Sequence, residues 1–244
     1  MVEIKLNKKI KLDNTRLIEG LPGLGLVGTV AATYLVQKLN MRCVGYVHSR
    51  NFPPLVSIHN YEPYYPMRLY HSKKYNLLVL LSEFIIPIEQ VNELADEIIK
   101  FVKKHKIKEI ISLGSISIKG EQDTVYVITS DKKLSKRFED MKNVELIKEG
   151  ATTGVTAMLL AEGKINNIPV TSLLAEAHAE YVDPRGASMV LKVLNQVLDL
   201  NIDTRELDRE AEEIDRQMKE IISKGKLAHK KYMENMSMDN TMYK

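Results

Sequence analysis

At 244 residues with 44% hydrophobic positions, the chain is long enough to bury a full core, and one α/β domain plus an appendage is expected. The 35 basic residues are nearly balanced by 32 acidic ones and are spread along the chain, which excludes a dedicated nucleic-acid binder. Cys43 is the single cysteine, which excludes an intrachain disulfide and a cysteine-based zinc site; a reducing cytoplasmic setting fits, with Cys43 expected as a small buried apolar filler.

In chain order, Met1 to Lys11 alternates Val2, Ile4 and Leu6 with charges and lacks the apolar run of a signal peptide. Nothing later approaches the roughly 20 apolar residues of a membrane span, so a soluble intracellular protein is expected. Thr15 to Glu19 reads as a short strand, Thr29 to Leu39 as a helix and Cys43 to His48 as a second strand. The segment Asn51 to Tyr70 is punctuated by Pro53, Pro54, Pro63 and Pro66. Proline cannot donate to a sheet ladder, so this segment is predicted as a hairpin or long loop at an edge.

Leu77 to Leu81 is a continuous apolar run, as a strand buried on both faces should be. A helix follows over Glu89 to His105, with Val91, Leu94, Ile98, Phe101 and Val102 at helical spacing. Strands are predicted over Glu109 to Leu113, Val125 to Thr129, Val144 to Ile147 and Pro169 to Ala175. A short helix capped by Ser130 or Asp131 runs to Phe138, and another helix spans Thr153 to Glu162. Asp183 and Pro184 form a start signal for a helix over Arg185 to Leu198. This alternation implies an α/β fold with a mostly parallel sheet.

From Asp203 the pattern changes. Asp203 and Glu206 have capping-box spacing, and Leu207, Ala211, Ile214, Met218, Ile221, Gly225 and Ala228 recur at steps of four and three. This stripe makes Leu207, Ile214, Met218 and Ile221 candidate self-association residues, the alternative being a helix laid on its own domain. The expected division is a core over 1–202, an amphipathic helix over 203–232 and a mobile tail over 233–244.

Gly23, Gly25 and Gly28 spell G-x-G-x-x-G between a strand and a helix. Such a loop can bring backbone amides to a pyrophosphate, but the acidic residue expected about 20 positions on is replaced by Val47, His48, Ser49 and Arg50. A structural role in turning the chain is the preferred reading, and a nucleotide-binding enzyme the alternative. The six histidines show no H-E-x-x-H spacing; in the Glu176, His178, Glu180 cluster a helix would turn His178 away from the glutamates, whereas an extended segment would put all three on one face. No metal or cofactor is therefore expected. Ser82, Glu83, Ser112, Gly114 and Ser115 follow strands without an identifiable base or nucleophile elbow and read as turn residues.

The chain closes on Met242, Tyr243 and Lys244. A hydrophobic residue, then tyrosine, then a residue carrying the terminal carboxylate is the ending by which proteasome activators and assembly factors dock on the core particle. Tyrosine offers a large apolar body with a hydroxyl, the carboxylate a charge for a lysine in the pocket, and Met242 an adaptable contact.

Three segments together carry a resemblance: GLPGLGLVG at Gly20–Gly28, EGATTGV at Glu149–Val155 and AEAHAEYVDPRGA at Ala175–Ala187. Over about residues 15 to 202 the sequence resembles the proteasome assembly chaperone 2 family in its archaeal form. The resemblance implies a three-layer α/β/α domain similar to nucleoside phosphorylases, scaffolding rather than catalysis, homo-oligomers with projecting C-terminal segments, and proteasome α-subunits as partners. No nucleic acid or membrane is expected among the partners.

Overall fold

A computed structural model describes residues 1–7, 10–117, 123–178, 181–214 and 216. Among the described residues up to Leu198, eleven strands and five α-helices have the order β1 (Glu3–Leu6), β2 (Arg16–Gly20), α1 (Val27–Lys38), β3 (Arg42–His48), β4 (Ser57–His59), β5 (Glu62–Tyr64), β6 (Met67–Ser72), β7 (Leu77–Ser82), α2 (Val91–His105), β8 (Glu109–Ile116), β9 (Val125–Thr129), α3 (Lys132–Ser135), β10 (Val144–Leu146), α4 (Gly154–Asn166), β11 (Val170–Glu176) and α5 (Pro184–Leu198). Nine strands among the described residues form one sheet in the order β1-β3-β6-β7-β2-β8-β11-β9-β10, and β4 and β5 form a separate hairpin.

The sheet is mixed, which corrects the expectation of a mostly parallel one. β2 pairs in parallel with β7 and β8, β8 with β11, and β9 with β10. The pairs β1–β3, β3–β6, β6–β7 and β9–β11 are antiparallel. Part of the difference comes from the proline-rich segment. Pro53 and Pro54 lie in a loop and Pro63 in the small hairpin, whereas Pro66 stops just before β6. Thus β6 contains no proline and is an interior strand, paired on both sides, rather than an edge loop. The edge position goes instead to β1, built from the alternating N-terminal residues.

Side-chain alternation places helices on both faces. Ile18, Val79, Ile111, Leu113 and Leu173 pack with Val27, Ala31 and Leu35 of α1 and Val190, Leu191 and Leu194 of α5. Leu17, Leu78, Leu80, Ile110 and Val170 pack with Leu94 and Ile98 of α2 and Val155 and Leu159 of α4. β7 is buried along its whole length because its odd and even positions serve opposite cores. Asp183 caps α5, accepting from the Gly186 amide at 2.9 Å ahead of Pro184 in the first turn. Cys43 is exposed, not a core filler; it lies on the part of β3 that precedes the pairing with β1, which begins at Gly45.

Residues 205–214 are helical. Leu207 is 2% exposed and belongs to the α1/α5 core, and Ala211 is buried as well. The Tyr34 hydroxyl of α1 donates to the Asp203 carbonyl at 2.7 Å, and Ser188 and Lys192 of α5 donate to Asp208 at 2.6 and 3.0 Å. The start of the stripe is therefore laid on the chain's own domain, and Leu207 is not available to a partner. Glu206 pairs with Lys38 instead of closing a capping box, while Asp203 accepts from the Arg205 amide at 3.0 Å.

Candidate functional site at the carboxyl end of the sheet

β2 and β7 are parallel neighbours whose following helices lie on opposite faces, α1 on one and α2 on the other. Connections that diverge in this way leave a crevice beyond the strand ends. A cleft of about 410 Å³ occupies it, lined by Leu21–Leu24 after β2, Ile85, Ile86, Ile88 and Val91 after β7, Gly114 and Ser115 of β8, and Thr152–Thr156 at the start of α4.

The glycines divide by task. Gly28 lies against β8, and a Cβ there would come within 2.2 Å of the Leu113 carbonyl oxygen. Gly25 has φ +58° and would place a Cβ 2.9 Å from that of Asp183; its carbonyl accepts from the Asp183 amide at 2.8 Å. Gly23 is extended and faces open space, with only the Ser115 Oγ within reach at 3.8 Å, and it lines the cleft. Ser115 donates to the Leu24 carbonyl at 2.6 Å and so fastens the loop to β8. Two of the three glycines are thus occupied by packing against neighbouring chain.

The sequence reading passed over the most unusual residue of the cleft. Glu19, the penultimate residue of β2, is 1% exposed. The Thr156 hydroxyl reaches its carboxyl at 3.4 Å, and Ser112, bonded to Thr156 at 2.8 Å, and the Leu21 amide complete its surroundings. Burial raises its pKa from 4.5 to about 7, the hydrogen bonds offsetting only part of the desolvation. A glutamate inside the short apolar run Leu17, Ile18, Glu19 was the available signal. At the opposite end of the sheet Glu109 is also buried, but Arg16 and Arg137 each hold it at 2.7 Å. Burial pushes its carboxyl up, and the two guanidinium groups outweigh that and lower it below the usual range.

Most exposed apolar surface lies at this same end. Apart from Met1 and Ile165, every exposed large hydrophobic residue among those described sits in the β2–α1, β3–β6, β7–α2 or β11–α5 connection. Ile85 and Ile88, each 75% exposed, stand at the cleft mouth. Tyr61 is fully exposed at the tip of the β4–β5 hairpin, which is pinned to β7 through His59, Glu83 and buried Arg68. Ser82 closes the turn after β7 by hydrogen bonds to Phe84.

Other sequence-predicted residues fare differently. Glu176 accepts from Tyr126 at 3.2 Å while His178 stacks on Tyr181, and Glu180 lies outside the described residues. Among the described residues no group of three histidine, cysteine or acidic side chains is placed to hold a metal, and no helix is long and apolar enough to cross a membrane. Ile214 is half-buried; Met218, Ile221, Met242, Tyr243 and Lys244 lie outside the described residues.

The three segments singled out in the sequence converge here. Gly25 meets Ala177, His178 and Asp183, Gly186 meets Val27, and Thr152–Val155 share the cleft with Gly23. The PAC2 family matches residues 17–222, across the core and into the helix that follows it. The chain belongs to the PAC2 family. A PAC2 relative in structure is Pyrococcus furiosus PbaA, an archaeal homologue of proteasome-assembly chaperone, with TM-score 0.82 and 33% identity, covering 99% of this chain and all of PbaA. Pyrococcus furiosus PbaB, an archaeal proteasome activator, superposes with TM-score 0.77 and 27% identity over 90% of this chain and 98% of PbaB. In sequence, an uncharacterised protein of Methanocaldococcus jannaschii is 34% identical over 96% of this chain and 95% of its own length. Against these PAC2 structures the expected α/β class holds, with a large mixed sheet.

Proposed function

We propose that this PAC2 protein is a proteasome assembly chaperone or core-particle-binding factor that works by scaffolding rather than catalysis. The observation that carries this reading is the likeness to PbaA, a homologue of proteasome-assembly chaperone, over 99% of this chain and to PbaB, a proteasome activator, over 90% of it. An apolar end of the sheet carrying exposed Ile85, Ile88 and Tyr61 supports a protein-binding role, since patches of this kind mark protein contact. Met242, Tyr243 and Lys244 dock on α-subunits of the 20S proteasome in the cytoplasm. Ile214, Met218 and Ile221, the candidate stripe residues after Leu207, associate with other copies. Several tails on one oligomer then bind a ring far more tightly than one tail can, because each further contact is intramolecular.

Surface plasmon resonance against immobilised α-subunits tests this. One alanine added after Lys244 shifts the carboxylate by up to about 3.5 Å and moves tyrosine from the penultimate position. Binding should fall sharply with that extension and with Tyr243→Ala, but little with Lys244→Ala. Equal binding by native and extended proteins would sink end recognition.

A further inference from the structure

Glu19 is a buried carboxyl for which the scaffolding role has no use. Of the eighteen residues lining the cleft it is the only one that ionises; the others are apolar, glycine, proline or hydroxyl-bearing. From the surrounding elements it faces Ser112 of β8, Thr156 of α4 and the Leu21 amide. All are uncharged, and no basic side chain contributes to its environment. Glu109, also buried, receives two arginines. A desolvated carboxylate with no cation is costly, and a ligand cation would supply what the protein omits.

The space is also of the right kind. About 410 Å³ is within the range of small-molecule pockets, which combine apolar walls with a few convergent polar groups. Leu21, Ile86, Val91 and Leu174 supply the walls, and Glu19 lies at the β2 end of the cleft. The geometry points to a binding site for a small organic amine, its ammonium group on the Glu19 carboxylate and its apolar body against these four side chains. Ser112 and Thr156 hold the carboxyl in place through their hydroxyls. An anionic ligand would meet repulsion from the same carboxylate, although α4 opens its uncapped first turn at Gly154 beside it. This assignment is independent of the tail and of self-association.

Three probes of matched body separate the possibilities: 2-phenylethylamine, 2-phenylethanol and 3-phenylpropionate, titrated into the full chain by NMR. The amine should saturate, and its affinity should be weaker by about tenfold or more at about pH 5 than at about pH 8, because Glu19 takes up a proton in that interval. In Glu19→Gln the amine should lose its advantage over the alcohol. Gly23→Val, which puts a side chain into the open space beside Ser115, should weaken all binding and serves if the first variant does not fold. No saturable amine binding, equal binding of alcohol and amine, tightest binding by the propionate, or native affinity in Gly23→Val would each overturn the assignment.

Discussion

Glu19 and Glu109 sit on neighbouring central strands, both buried, at opposite ends of the sheet. Glu109, at the amino end of β8, is held by Arg16 from β2 and by Arg137 from the segment after α3, and stays ionised. Glu19, at the carboxyl end of β2, has hydroxyls and an amide and shares its proton near neutrality. Both are nearly inaccessible, and Glu19 is the more deeply enclosed; the two arginines reverse the effect of burial at Glu109, and no cation does so at Glu19. The amino end closes on itself with paired charges, whereas the carboxyl end leaves a carboxyl and an apolar rim unmatched. The unmatched end is the one to which function is assigned.

Removing both arginines should break this contrast with the largest effect. Arg16→Ala with Arg137→Ala leaves Glu109 buried without a cation and should destabilise the fold by about 3 kcal/mol in urea denaturation at neutral pH, near the lower end for a severed buried pair because both arginines are partly exposed. A loss under about 1 kcal/mol would mean that water already solvates Glu109.

The glycine loop sharpens the contrast within the carboxyl end. Gly28→Ala forces a Cβ onto the Leu113 carbonyl and should cost about 2–3 kcal/mol. Gly23→Ala meets nothing closer than the Ser115 Oγ and should stay within about 0.5 kcal/mol. Similar melting temperatures for the two variants would refute the division of tasks among the glycines.

The last expected effect is opposite in sign. The folded pKa of Glu19 is raised from 4.5 to about 7, so its favourable contribution is complete below about pH 4.5 and is lost as pH rises through 7. Glu109 is lowered, so its contribution is present above the usual carboxylate range and is lost as pH falls through its folded value. Glu19→Gln should therefore stabilise the protein by about 2 kcal/mol at about pH 8, within the roughly 3 kcal/mol that the shift allows, and change little at about pH 4. A destabilised variant at pH 8 would show that the charged form is the one the fold prefers.

The local elements were legible because their signals are local. Leu77–Leu81 has the pattern of a doubly buried strand, Asp183–Pro184 is a helix start signal, and the period of Val91, Leu94 and Ile98 marked the face of α2. The family was legible too, from the segments at Gly20, Glu149 and Ala175. Strand direction was not. A parallel and an antiparallel strand have the same alternation, so β6 and β9 reveal their sense only through their neighbours, and prolines that flank a strand resemble prolines that break one. Nor could spacing say where the stripe beginning at Leu207 would pack, since a core-facing and a partner-facing helix have the same period. Glu19 and Glu109 look alike in sequence, each an acidic residue beside apolar ones. Which of them meets two arginines and which a cleft was decided by chain distant from both, because a carboxyl's charge is set by the groups that folding brings to it.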